Sequence, residues 1–184
     1  MSSGYDTFEL LTPRLRIRSF TEDDLEELTA LYADPEVMRY LPSSDVDART
    51  RAEESLPAFK DQFERSGFTL WAAEEREGGA FVGRVGLWDL DKSAEVEIAY
   101  VIAPRHWGKG YATESAEASL EFGFEELNLP EIAGVASPAN HASLRVMEKL
   151  GFAFVRVGTF YRFECRYHVL PRETWRKKNA DSCL

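Results

Sequence analysis

The sequence predicts a mixed α/β (α+β) fold: one central, mostly antiparallel sheet of about six or seven strands with helices on both faces. Three observations predict it. Strand-like segments at 69–73, 80–88 and 95–102 follow one another through short turns, the mark of an antiparallel meander. Helical spacing brackets them on both sides. Two later strand–helix–strand passages call for some parallel pairing.

Each element has its own warrant. Leu15-Arg-Ile-Arg18 alternates with period two and reads as a half-buried first strand. Thr21-Glu-Asp-Asp24 caps a helix whose apolar residues are Leu25, Leu28, Leu31 and Tyr32. Residues 46–66 are charged, with Leu56, Phe59 and Phe63 on one face, and Pro57 predicts a kink or two short helices there. Glu77-Gly-Gly79 turns the first two meander strands. The third strand stops at Pro104 and the glycines 108 and 110. A helix is expected over 111–127, with Ala112, Ala116, Leu120 and Leu127 inward, ended by Asn128-Leu-Pro130. A short strand at 132–136 leads to a helix over 141–150, closed by Gly151. Residues 152–169, rich in aromatics and valine, read as two more strands.

Composition bounds the function. The 184 residues suit one domain (1–184), with a core at about 8–175 and a polar tail at 176–184 expected to fray. Twenty-two basic against 32 acidic side chains leave a net charge of −10, which argues against nucleic acid and favours cationic partners such as amines. Cys165 and Cys183 make no disulfide framework, and His106, His141 and His168 have no metal-ligand spacing, so no metal is expected. The opening Met1-Ser-Ser-Gly-Tyr-Asp6 lacks the pattern of a secretory signal, and no apolar run is long enough to span a bilayer. A cytoplasmic protein without a membrane partner is the expectation.

The informative segment runs from Glu95 to Glu114: a strand, a loop carrying Gly108-Lys-Gly110, then a helix. Paired glycines let a backbone turn with its N–H groups inward, and the following helix adds its own unpaired N–H groups. Such a cradle suits a diphosphate. It lacks the spacing of a Walker loop, and Thr113 stands where a dinucleotide fingerprint needs its third glycine. A plain tight turn is the alternative for a bare G-x-G.

Two phrases taken together carry more. Arg105-x-x-Gly108-x-Gly110-Tyr-Ala112 follows an apolar strand, and Asn140-His-Ala-Ser143-Leu-Arg-Val-Met-Glu-Lys-Leu-Gly-Phe152 lies some way beyond it. They resemble the pyrophosphate loop and the later helix of the GNAT superfamily of acyl-CoA N-acyltransferases. Leu11-Thr-Pro-Arg-Leu-Arg-Ile-Arg18 and Ala33-Asp-Pro-Glu-Val-Met-Arg-Tyr-Leu41 are similar to the opening of its RimJ/RimL branch, the ribosomal-protein-alanine acetyltransferases.

The resemblance implies acetyl-CoA as donor and an amine as acceptor, joined by direct attack in a ternary complex. Arg105, His106, Trp107, Gly108, Lys109, Gly110, Tyr111 and Ala112 would hold the pyrophosphate, mainly through backbone. Tyr100, Val101 and Ile102 would pair with the pantetheine arm where the strand splays from its parallel neighbour, and the Val101 N–H would face the oxyanion. Trp107 would cover adenine or, as preferred here, pack beneath it. Asn140 would hydrogen-bond the cofactor while capping its helix, and Ser143 would sit near the sulfur. Many members carry a tyrosine one turn beyond that serine as general acid; this chain has Met147, which donates no proton.

Glu97 has two readings. A strand carboxylate near the cleft takes the amine proton through water, or it is a structural ion pair with Arg84. Glu95, nearer the strand start, is the lesser candidate. Arg145 and Lys149 either reach the adenosine phosphate or, the preferred reading, form a solvated helix face. Tyr40, Trp88, Phe160 and Tyr161 are candidates for the acceptor groove, and Cys165 for a buried, inert thiol. The branch implies a protein N-terminal α-amine as acceptor, with polyamines, amino-acid derivatives and aminoglycosides as alternatives. A non-catalytic acyl-CoA-binding module is the reading of another class. Both a monomer and a homodimer suit the fold.

Overall fold

The computed structural model describes residues 4–42 and 45–181. Cys183 and the last three residues of the expected tail lie outside them.

Strands β1 (Glu9–Leu11), β2 (Leu15–Arg18), β3 (Leu70–Glu75), β4 (Phe81–Asp89), β5 (Val96–Ile102), β6 (Glu131–Ala136), β7 (Ala153–Phe160) and β8 (Phe163–Pro171) form one sheet. Their spatial order is β1-β2-β3-β4-β5-β6-β8-β7. All neighbours are antiparallel except β5 and β6. The expected antiparallel meander is β3–β4–β5. Eight strands replace the six or seven expected, because the three-residue β1 is too short to show a period. Only one of the two strand–helix–strand passages gives a parallel pair, since β8 inserts between β6 and β7.

Helices α1 (Leu25–Ala33), α2 (Pro35–Met38) and α3 (Ala48–Ser66) precede β3. Helices α4 (Tyr111–Glu121), α5 (His141–Leu150) and α6 (Arg172–Asp181) follow the central strands. Leu28, Leu31, Tyr32, Ala52 and Phe59 bury against Leu70, Ala72 and Phe81 on one sheet face. Ala116, Leu120, Met147, Leu150 and Trp175 bury against Val85, Leu87, Ile98 and Ile132 on the other. Two layers of helix thus cover the sheet, each through an apolar stripe.

Three expectations change in the structure. α3 runs through Pro57 as a single helix, capped by Asp47 at its start and by Gly67, at φ 77°, at its end. The carbonyl that Pro57 leaves without a donor belongs to Glu53; both residues are exposed, so solvent reaches that group, while Ala52 and Phe59 hold the helix to the sheet. The helix expected to end at 127 is α-helical only to Glu121 and continues as a π turn over Phe122–Glu126. The tail expected to fray from 176 is helical to Asp181, anchored by Trp175, only 2% exposed, and by Arg176 on Glu125.

Candidate active site

The site begins where the parallel pair comes apart. β5 and β6 are in register only at Glu97 and Ala133; beyond that point β6 stays with β8 and β5 with β4. Antiparallel pairing alternates the direction of backbone groups along β5. Leu90 N bonds Glu95 O at 2.9 Å and Ala103 N bonds Val82 O at 2.8 Å, so the odd-numbered residues of β5 face β4. The even-numbered ones, Tyr100 and Ile102 among them, turn their backbone groups into the opening. The Val101 N–H, expected to face an oxyanion, is directed to β4 instead, and the neighbouring N–H that faces the opening is that of Tyr100. The opening is part of a cleft of about 900 Å³ that reaches both faces of the sheet.

One wall is the loop into α4. Gly108 and Gly110 take φ of 77° and 84°, left-handed values that only glycine adopts without strain. The N–H groups of residues 108–113 donate to no carbonyl or side chain among the described residues. Six adjacent donors at a helix N-terminus fit a pyrophosphate, so the residues present suit the cofactor that the sequence implies. The loop is held from outside. Glu114 accepts from Thr12 Oγ1 at 2.6 Å and from Arg14 N and Nε at 2.9 and 2.7 Å, and Arg14 Nη1 donates to Lys109 O.

The polar side chains of the loop are largely spoken for. Arg105 donates to Phe81 O at 2.7 Å and pairs with Glu27. His106 is buried, with Nε2 3.1 Å from Phe81 O and Nδ1 3.2 Å from Lys109 Nζ. Burial first, then the Lys109 charge, hold its pKa below the ordinary value. Lys109 also lies 3.7 Å from Glu75. Trp107 is 50% exposed rather than packed underneath as preferred from sequence, because its Nε1 donates to Ile102 O at 2.7 Å and swings the ring outward.

Glu97 sits on the α1/α3 side of the opening and is 5% exposed. It has no ion pair with Arg84; its carboxylate accepts from the Tyr161 hydroxyl. Burial pushes its pKa up to about 8, against the lowering effects of the Tyr161 hydrogen bond and the more distant Arg84 charge. Tyr161 and Arg162 form the two-residue turn between β7 and β8, at φ of 52° and 69°. Such turns favour asparagine and glycine, so this one is strained. It is held by Asp91, whose N–H donates to the Tyr161 hydroxyl at 2.9 Å and whose carboxylate accepts from Tyr161 N at 3.0 Å. Glu95 is exposed and accepts from Tyr167 at 2.5 Å.

On the other side, Asn140 caps α5 by accepting from Ser143 N at 3.1 Å. Ser143 Oγ is 2.9 Å from the Tyr100 hydroxyl, whose pKa burial raises to about 12. Met147 is buried against Gly134, where an added Cβ would come within 2.7 Å of its sulfur. Arg145 and Lys149 are exposed, as the solvated face predicts. Tyr40 spans the mouth, donating to Ala139 O at 3.2 Å. Tyr40, Trp88, Phe160 and Tyr161 all line the cleft, and Cys165 is buried, its thiol pKa raised by burial.

Sequence reasoning missed two features. The Tyr100 hydroxyl meets Ser143 across the sheet–helix contact, and Tyr161 meets Glu97 across the interlocked turns. Neither carries a local signal, since each joins segments far apart in the chain.

The acetyltransferase (GNAT) domain family matches residues 14–153. YkkB of Bacillus subtilis, an uncharacterized protein, is 35% identical over 149 residues, 79% of this chain and 86% of that protein. Spermidine N(1)-acetyltransferase of Escherichia coli K12 is 28% identical, covering 76% and 73%. An acetyltransferase structure from Agrobacterium tumefaciens superposes with a TM-score of 0.79 at 23% identity, covering 89% and 94%. The ribosomal-protein-S5-alanine acetyltransferase of Vibrio fischeri shares the fold, with a TM-score of 0.75 at 12% identity over 91% and 98%. With the family match spanning well over half its length, the chain belongs to the GNAT acetyltransferases, and its activity is acetyl-CoA-dependent N-acetyl transfer.

Proposed function

We propose that the chain moves the acetyl group directly from acetyl-CoA to a primary amine, with both bound together. The observation that carries this reading is the Glu97 carboxyl, buried at the base of the β5/β6 opening and facing the aromatic half of the cleft.

Acetyl-CoA, when bound, supplies the activated acetyl carbon. The N–H groups of 108–113 bind the pyrophosphate, and the backbone groups of Tyr100 with the Ile102 N–H, whose carbonyl the Trp107 indole already occupies, align the pantetheine arm. The amine nitrogen attacks with its lone pair, so its proton must leave. Glu97, as carboxylate, accepts that proton directly or through water. The Tyr100 N–H stabilises the charge developing on the carbonyl oxygen. As the carbon–sulfur bond breaks, Ser143 donates a hydrogen bond to the departing sulfur. The Tyr100 hydroxyl behind Ser143 then supplies the donor that Met147 cannot.

The RimJ/RimL-like opening of the sequence supports a protein N-terminal α-amine as acceptor. The spermidine acetyltransferase relative supports a small-molecule amine as the second reading. CoA release with acetyl-CoA and a panel of amines tests both: peptides with free Ala or Ser termini, polyamines, amino acids and aminoglycosides. Release that depends on one class names the acceptor. Binding of acetyl-CoA without release across the panel counts against catalysis by this cleft, and neither binding nor release counts against the cofactor assignment.

A further inference from the structure

The half of the cleft that faces Glu97 contains an arrangement at odds with the acidity of the chain. Arg51 and Arg84 both line it. Arg51 Cζ lies 4.8 Å from the centre of the Tyr32 ring and Arg84 Cζ lies 5.7 Å from the same centre. Among the described residues, no carboxylate comes within ion-pair distance of either guanidinium. Arg51 donates to Pro42 O at 3.0 Å and touches the Met38 sulfur. The Arg84 side chain makes no hydrogen bond among the described residues, and its Nε is shut off from solvent.

Arg14, Arg16, Arg18, Arg49 and Arg176 each have a carboxylate partner. Other arginines lack one among the described residues, Arg156 and Arg166 among them, but those two lie over aromatic rings of β7 and β8 outside the cleft lining, whereas Arg51 and Arg84 share one ring inside it. With 32 acidic side chains available, two half-buried guanidiniums left to repel each other are a cost the fold does not need. The acids facing them do not remove it. Glu97 is engaged by Tyr161, Glu164 is exposed at the rim, and Glu36 is exposed beside Arg39. Arg84 stands opposite Val101 on β5, on the same sheet face as Glu97 and within the opening where the amine must react. Planar guanidiniums with free donors match a carboxylate in two-point contact.

We infer that Arg51 and Arg84 form a carboxylate subsite, and that the preferred acceptor is an amine whose own molecule bears a carboxylate close to the reacting nitrogen. Resting on the acetyl-transfer reading, this narrows its acceptor. The carboxylate has two sources, the α-carboxylate of a free amino acid or an acidic side chain next to a peptide's N-terminus. A polyamine, cationic along its length, is disfavoured. Tyr32, Phe59 and Trp88 beside the pair accommodate an apolar body.

The test measures kcat/KM with acetyl-CoA on matched amines, using the full chain. Phenylalanine is set against phenylalaninamide, C-terminally amidated Ala-Glu peptides against Ala-Gln peptides, and spermidine stands alone. At least one carboxylate member is expected to exceed its neutral partner by about tenfold or more, and the winning pair names the source. The ratio is expected to fall towards one in Arg84→Gln and Arg51→Gln, and to survive in part in Arg84→Lys, which keeps the charge but loses the fork. Equal turnover within both pairs, or a preference for spermidine, overturns the inference and leaves acetyl transfer standing. If no amine is turned over, acetyl transfer fails instead, and the subsite is read by calorimetry with CoA present. Tighter binding of N-acetylphenylalanine than of its amide, lost in Arg84→Gln, supports the subsite; equal binding overturns it.

Discussion

Glu97 is the proposed base, and its environment sets testable signs. Burial disfavours its charged form, so the folded carboxyl keeps its proton to about pH 8, whereas the unfolded chain releases it near 4.5. A base must be ionised to act, so the rate of acetyl transfer is expected to rise with pH through about 8. Glu97→Gln is expected to lower kcat by about 100-fold or more while acetyl-CoA still binds, as steady-state kinetics with calorimetry would show. The same difference acts on stability. Between 4.5 and 8 the folded state holds the proton more tightly than the unfolded state, so the Glu97 contribution to stability falls as pH rises through that window and is level above it. Thermal melts across this range should lose that component in Glu97→Gln. Tyr161 works in the opposite direction, since its hydrogen bond favours the charged form. Tyr161→Phe is expected to move the midpoint of the pH–rate profile upward, and an unmoved midpoint would remove Tyr161 from the site.

At the scale of elements, the loop between β5 and α4 was readable from its residues and its anchor was not. Gly108 and Gly110 announce a tight, donor-rich turn because glycine adopts left-handed φ without strain. That Thr12 and Arg14 reach Glu114 to hold the turn depends on β2 lying beside α4, which no local pattern encodes. Glu114→Ala is expected to raise the KM for acetyl-CoA several-fold with little change in kcat, because it loosens the cradle without touching the acetyl group. Gly110→Ala is expected to do the same and to cost about 1 kcal/mol or more of stability, measured by denaturant unfolding, because φ is 84° there. α3 teaches the reverse lesson. Pro57 forecasts a break, yet the helix continues because the orphaned carbonyl lies on its wet side while tertiary packing holds the dry side.

For the whole molecule, the opened parallel pair is the central feature. A sheet that parts between two strands leaves backbone donors that a bound ligand completes. Acetyl-CoA is expected to slow amide hydrogen exchange at Tyr100, Ile102 and residues 108–113 far more than in β3 or β8, as mass spectrometry or NMR would show. Uniform protection would mean that the ligand stabilises the fold without lying in the opening.

The sequence by itself determined the mixed sheet, the succession of its strands along the chain from β2 onward, the glycine turn before α4, the cap at Asn140 and the family, because these rest on local spacing: period two, period 3.6, paired glycines, a side chain three residues from its acceptor. It also determined the net charge, and from that sum a cationic partner followed. Only the tertiary structure decided the rest. It set which backbone groups of β5 face the opening, that Glu97 meets Tyr161 rather than Arg84, that Tyr100 stands behind Ser143, and that two unpaired arginines line an acidic protein's cleft. Each of these is a contact between distant segments. A net charge is a sum over the surface, whereas recognition depends on the few charges that the fold leaves without partners in one place.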